Sequence, residues 1–171
     1  NLVNISEGSS VKIEDSSTLT ITSATQGLGV SSSSLLKFRD STISGTVTDG
    51  ALISVDAGSS TEVRDATLTL DNGNRAVGLS DSSDLSISNS KISGTATDEL
   101  IRVTRGSNAI IRNATTLSQT GSDTPDVSVS NLSFLCIWNE EASINKVDCY
   151  SKGYVSANEG MVTTLSESCT E

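Results

Sequence analysis

Apolar residues recur along this chain in pairs eight positions apart: Ile5/Ile13, Val30/Phe38, Val55/Val63, Leu79/Ile87, Val103/Ile111 and Val129/Ile137. A seventh pair, Val155/Thr163, keeps the spacing and loses the second apolar residue. Successive first members lie 24 to 26 residues apart. A third apolar position follows in the same register, at Leu19, Ile43, Leu68, Ile92 and Leu117. Around these anchors apolar and polar residues alternate, as in Val11-Lys12-Ile13, Leu68-Thr69-Leu70 and Val127-Ser128-Val129, which is the period of a half-buried strand. No segment carries an apolar stripe at helical spacing for more than a turn or two.

Three short strands and three turns per period fit one coil of a solenoid whose coils stack at about 4.8 Å. The pattern predicts an all-β fold, a single-stranded parallel β-helix of about seven coils and three strands per coil, or about 34 Å of rod at that spacing. An antiparallel sandwich also shows strands at short intervals, but it gives residues 25 apart no reason to share a chemical type. Regular coils are expected over residues 1–128, and terminal coils with a C-terminal cap or tip over 129–171. The chain opens inside a strand, Leu2-Val3-Asn4-Ile5, with no signal segment. More protein or another subunit is therefore expected to cover that end.

Two residues after each second anchor comes Asp15, Asp40, Asp65, Asn89, Asn113 or Asn139. Stacked coils place these six in one column at one turn. Asp and Asn suit it because their side chains bond local backbone and tolerate left-handed φ. The column reads first as structural. The residue before each member is Glu14, Arg39, Arg64, Ser88, Arg112 or Trp138, and each is expected to point outward. Arg39, Arg64, Arg112 and Trp138 are the candidate ligand-binding residues: a cationic strip ending in the only Trp, suited to a sugar carboxylate or a protein partner. The plainer role of these arginines is to neutralise the acidic column beside them. Arg102 and Arg105, flanking Val103, form a second small basic cluster.

Composition changes the picture in two ways. Ser and Thr make up 53 of 171 residues, apolar residues 35% and aromatics 3%. Such a chain can be disordered, yet a thin solenoid needs only a narrow apolar column and leaves most positions to water. The missing His removes the Ser-His-Asp and Cys-His nucleophiles, the imidazole base and the histidine metal site. No metal or other cofactor is expected. A net charge of −10 argues against nucleic acid and anionic lipid, and no apolar run approaches the ~20 residues that span a bilayer.

The C-terminal coils differ. Phe134, Trp138, Tyr150 and Tyr154 fall there, with Cys136, Cys149 and Cys169. A solenoid must close its core, so the aromatics are expected to cap it; the other reading is an exposed tip that contacts a receptor. Three Cys cannot all pair within one chain. Cys149–Cys169 is the candidate disulfide, which leaves Cys136 as a buried thiol, a free thiol or an inter-chain link.

The run Asp40-Ser41-Thr42-Ile43-Ser44-Gly45-Thr46, with Gly50-Ala51-Leu52-Ile53-Ser54-Val55 and Val63-Arg64-Asp65-Ala66-Thr67-Leu68, resembles coils of pertactin-type autotransporter passengers. It is similar also to pectin-lyase-like β-helices and to trimeric phage tailspikes. The resemblance covers most of residues 5–163 and lies in repeat grammar, so it bears on fold more than on function. It implies a place outside the cell, on a bacterial surface or a phage virion tail, and leaves both a monomer and a homotrimer open. The enzymes of this fold need clustered Asp with His, or Asp with Arg and Lys around calcium, and no such constellation can be placed here.

Two functions follow as expectations. The first is a non-enzymatic rod, an adhesin or receptor-binding scaffold for a cell-surface glycan or protein. The second is a tailspike polysaccharide depolymerase with a carboxylate pair such as Asp40 and Asp65, or Glu140 and Glu141. Adjacent Glu140 and Glu141 on a strand would point to opposite faces, which argues against that pair. A third reading, an ice- or mineral-binding solenoid, is suggested by the pairs Thr18/Thr20 and Thr67/Thr69. These pairs do not recur in every coil, so no continuous lattice is expected from them.

Overall fold

The computed structural model describes residues 2–120, 124–138, 142–158, 160–166 and 168–169. They form a parallel β-helix with no helix among them. The first coil is β1 (Val3–Ile5), β2 (Ser10–Ile13) and β3 (Thr18–Ala24). The second is β4 (Leu28–Val30), β5 (Leu35–Arg39) and β6 (Thr42–Val47), and the third β7 (Ala51–Val55), β8 (Ser60–Arg64) and β9 (Thr67–Gly73). The fourth is β10 (Arg75–Leu79), β11 (Asp84–Ser88) and β12 (Lys91–Ala96), and the fifth β13 (Ile101–Val103), β14 (Asn108–Arg112) and β15 (Thr116–Gln119). Then come β16 (Val127–Ser130), β17 (Phe134–Trp138), β18 (Ile144–Tyr150), β19 (Tyr154–Ala157) and β20 (Val162–Leu165).

Each strand pairs in parallel with its counterpart one coil on, which builds three sheets of eight, seven and five strands. The predicted columns face the interior. Ile5, Val30, Val55, Leu79, Val103 and Val129 stack in the first sheet, Ile13, Phe38, Val63, Ile87, Ile111 and Ile137 in the second, and Leu19, Ile43, Leu68, Ile92 and Leu117 in the third. Most are fully buried. At about 1.5–3 kcal/mol for each such side chain, one residue per strand gives every coil a substantial share of core.

The outer face of the third sheet carries two ranks of side chains in one-to-one register. One rank is Thr18, Thr42, Thr67, Lys91 and Thr116. The other is Thr20, Ser44, Thr69, Ser93 and Ser118. Beyond them the register shifts at Gly45 and Gly94. There the backbone takes φ +148° and +137°, and a Cβ on Gly94 would lie 1.9 Å from the Leu70 carbonyl oxygen. Only glycine fits so close an approach. This is the physical origin of the repeated Ser-Gly-Thr fragment.

Two expectations fail at the C-terminal end. Val155 does not continue the first-sheet column: it lies opposite Leu135 in the second sheet, and Cys149 takes its place beside Val129, only 20 residues on. Among the described residues no third-sheet strand follows β17, and a single bridge, Thr116 to Ser143, marks its position. The coil is shortened there by skipping one side, and the rod makes about six turns. The aromatics also do not cap the core. Phe134, Trp138, Tyr150 and Tyr154 stand outward, 37 to 62% exposed, while Ile144, Val147, Cys149, Val155 and Met161 close the interior. A disulfide joins Cys149 to Cys169 and fastens the last described residues to the first sheet. Cys136 is a free thiol, buried on the outer face of β17. Burial raises its pKa, against the pull of Trp138 and Arg112.

Candidate functional site

The second-sheet strip has the order that the repeat implies. Arg39 lies beside Arg64, Arg64 beside Ser88, Ser88 beside Arg112 and Arg112 beside Trp138. Two of these arginines are engaged. Arg39 Nη2 meets Glu62 Oε2 at 2.6 Å, and this hydrogen bond is the main reason its pKa is raised. Arg64 Nε meets Asp65 Oδ2 at 2.9 Å. Arg112 and the 62%-exposed Trp138 are left as one adjacent pair at the end of the strip.

The turn column takes left-handed backbone at every described member, with φ between 46° and 62° at Asp15, Asp40, Asp65, Asn89 and Asn113. Asn139 lies outside the described residues, as do Glu140 and Glu141. Asp40 and Asp65 border a shallow dent of about 330 Å³ with Thr42 and Thr67. Their backbone N–H groups donate to Arg64 and Ser88 of the following coils, and the Asp65 carboxylate is occupied by Arg64.

A larger groove, about 580 Å³, runs over the first sheet and is lined by Asp98, Glu99, Arg102, Arg105, Asn131 and Tyr150 among others. Arg102 lies on β13 between two small neighbours, Gly78 and Ser128, and its side chain is 37% exposed. Beneath it lies a fixed ionic cluster. Glu99 Oε1 accepts from Arg75 Nε at 3.1 Å and from Arg102 Nε at 2.6 Å. Asp98 Oδ2 accepts from Arg75 Nη2 at 2.8 Å and from Arg102 Nη2 at 3.4 Å. The side chains of Glu99 and Arg75 are 6% and 16% exposed, so the bond between them is held where water competes little, while Asp98 and Arg102 stand nearer to solvent.

Arg102 Nη1 has no protein partner among the described residues. At the far wall the Tyr150 hydroxyl donates to Asp148 Oδ2 at 3.3 Å, and burial followed by the Asp148 charge raises its pKa. A second cleft of about 220 Å³, with Arg75, Gly78 and Asp56, continues along the same sheet on the other side of Arg102.

No protein-family model matches the chain. No curated protein and no solved structure matches it either. The fold alone therefore assigns no activity, and the site speaks through its chemistry. Arg102 and Arg105 were visible in the sequence as a basic cluster. Tyr150 was visible among the C-terminal aromatics, but Arg75, Asp98 and Glu99 were not, although Arg75 stands 24 residues before Glu99, one coil away. Among the described residues no group of three or more His, Cys, Asp or Glu side chains is placed to hold a metal ion.

Proposed function

We propose that the protein is a non-enzymatic β-helical rod that binds a cell-surface glycan through the first-sheet groove. The observation that carries this reading is the pairing of a rigid Arg75–Glu99–Arg102 cluster with an exposed Tyr150 across one open, polar channel. A sugar chain needs planar donors and acceptors for its hydroxyls and an apolar ring against which to lie. The groove offers Arg102, Asn131, Ser128 and Ser130 for the first and Tyr150 for the second. The disulfide supports a place outside the reducing cytosol. The repeat grammar, similar to that of autotransporter passengers and tailspikes, supports display on a bacterial surface or a virion.

The test is a glycan array followed by calorimetry on the hits. Tyr150→Ala should weaken binding by about 2 kcal/mol, the scale of a buried aromatic contact, and Arg102→Lys should weaken it without unfolding the rod. Binding that ignores both substitutions, or no glycan bound at all, overturns the reading. The Arg112–Trp138 pair favours a protein receptor as the second reading. Loss of cell binding on Trp138→Ala, with Tyr150→Ala harmless, would select it.

A further inference from the structure

We propose that the outer face of the third sheet is an ice-binding surface. Several serine hydroxyls in this chain serve the fold. In the turn between the first and second sheets the hydroxyl oxygens of Ser34, Ser59, Ser107 and Ser133 each accept a backbone N–H from the preceding coil. The nine hydroxyls in the two third-sheet ranks behave otherwise. Among the described residues none of them bonds to protein, so each keeps a donor and an acceptor for something outside.

Their placement is periodic in two directions. Neighbours along a rank are one coil step apart, about 4.8 Å, and the ranks are two residues apart, about 6.6 Å. Five strands carry the net about 19 Å along the rod at that step. Oxygen atoms on the faces of hexagonal ice repeat on rectangular nets of similar dimensions. Water held between the hydroxyls and methyl groups of Thr67 and Thr69 and those of their neighbours therefore falls near lattice positions. The sequence masked this, because serine replaces threonine at Ser44, Ser93 and Ser118 and breaks the Thr-x-Thr pairs while keeping the hydroxyl.

Charge selects the occupant. The chain carries −10 overall, yet the two ranks hold a single charge, on Lys91. A polyanion would find one lysine, with Asp40 and Asp65 at the edge of the first rank to repel it, whereas a neutral lattice needs no counter-charge. A sugar polymer would need a ring to stack on, and the ranks contain none. This inference does not rest on the glycan groove, which lies on another sheet.

The purified protein is expected to shape growing ice crystals, to separate the freezing from the melting point of its solution, and to enter slowly grown ice. Thr69→Tyr sets a ring on the net and should abolish all three. Ser86→Tyr, the same kind of change on the outer face of the second sheet, should leave them intact, with circular dichroism melts confirming both folds. Lys91→Thr completes the first rank and should widen the freezing gap. The proposal is overturned if wild-type protein is excluded from ice like an ordinary solute, or if Thr69→Tyr behaves as wild type. Retention on crystalline cellulose or chitin that Thr69→Tyr destroys, without retention in ice, overturns it in favour of a neutral glycan.

Discussion

The backbone N–H of Ser34 donates to the hydroxyl oxygen of Ser59, 25 residues later and one coil up, at 3.1 Å. The same bond joins Ser9 to Ser34, Ser83 to Ser107 and Ser107 to Ser133, so a column of serines ties coil to coil inside the turn between the first and second sheets. Ser34, Ser59, Ser83, Ser107 and Ser133 are all buried. The column has one gap, at Ser83, whose hydroxyl is buried without a partner. Ser59→Ala should leave the Ser34 N–H unsatisfied and cost about 1–3 kcal/mol, measured by urea unfolding. Ser83→Ala removes a hydroxyl that bonds to nothing and should cost much less. Equal losses at the two positions would remove the hydrogen bond from the explanation.

Gly94 tests close approach. Gly94→Ala would drive a Cβ into the Leu70 carbonyl at a φ that L-residues avoid, and a loss of about 3 kcal/mol or more is expected. Gly8 has a positive φ too, but nothing lies within 4 Å of its added Cβ. Gly8→Ala should cost only about 1–2 kcal/mol. The contrast is read from two thermal melts.

Columns of like residues are legible in the amino-acid sequence, because a β-helix sets position i over a position one coil later and gives both the same task. Val55, Val63 and Leu68 announce themselves through their counterparts in the next coil, and so does the Asp40–Asp65 turn. Contacts between unlike residues leave no such trace. Arg75 and Glu99 are one coil apart, yet nothing in a search for repeated types joins an arginine to a glutamate. The serine column failed to stand out for the opposite reason, as 33 serines in the chain bury it in its own background. Val155/Thr163 misled because the last coil drops one side while the eight-residue spacing survives by coincidence.

The Cys149–Cys169 bond closes a 20-residue loop, and a closure of that size contributes about 3 kcal/mol in the loop-entropy account. Reduction, or Cys149→Ser with Cys169→Ser, should lower the unfolding midpoint. It should also open the segment around β20 to protease before the coils upstream are cut. Simultaneous cleavage throughout the rod would show that the end does not open separately.

Asp56 is raised above its ordinary value of 3.8, first by burial and then by the charge of Asp81. A carboxyl whose folded pKa exceeds its unfolded one favours the fold in its protonated form. Its contribution is whole below about pH 3.8 and is lost as pH rises through the folded value. Asp56→Asn should therefore raise the melting temperature at pH 7, and the difference should vanish at low pH. A difference that grows on acidification would contradict the assignment.

Because Thr104 donates its N–H to the Leu79 carbonyl while Val103 stands beside Leu79, joining residue 79 directly to residue 104 preserves every later register. Length in this molecule is thus a quantised variable. Whole coils can be added or removed without retuning the rest, whereas a residue inserted within a strand turns that strand's later inward-facing side chains out. The difference between coils of 24, 25 and 26 residues is taken up outside the paired columns. A protein built on such a ruler can change its reach in steps of about 4.8 Å by duplicating or deleting 24 or 25 residues at a time.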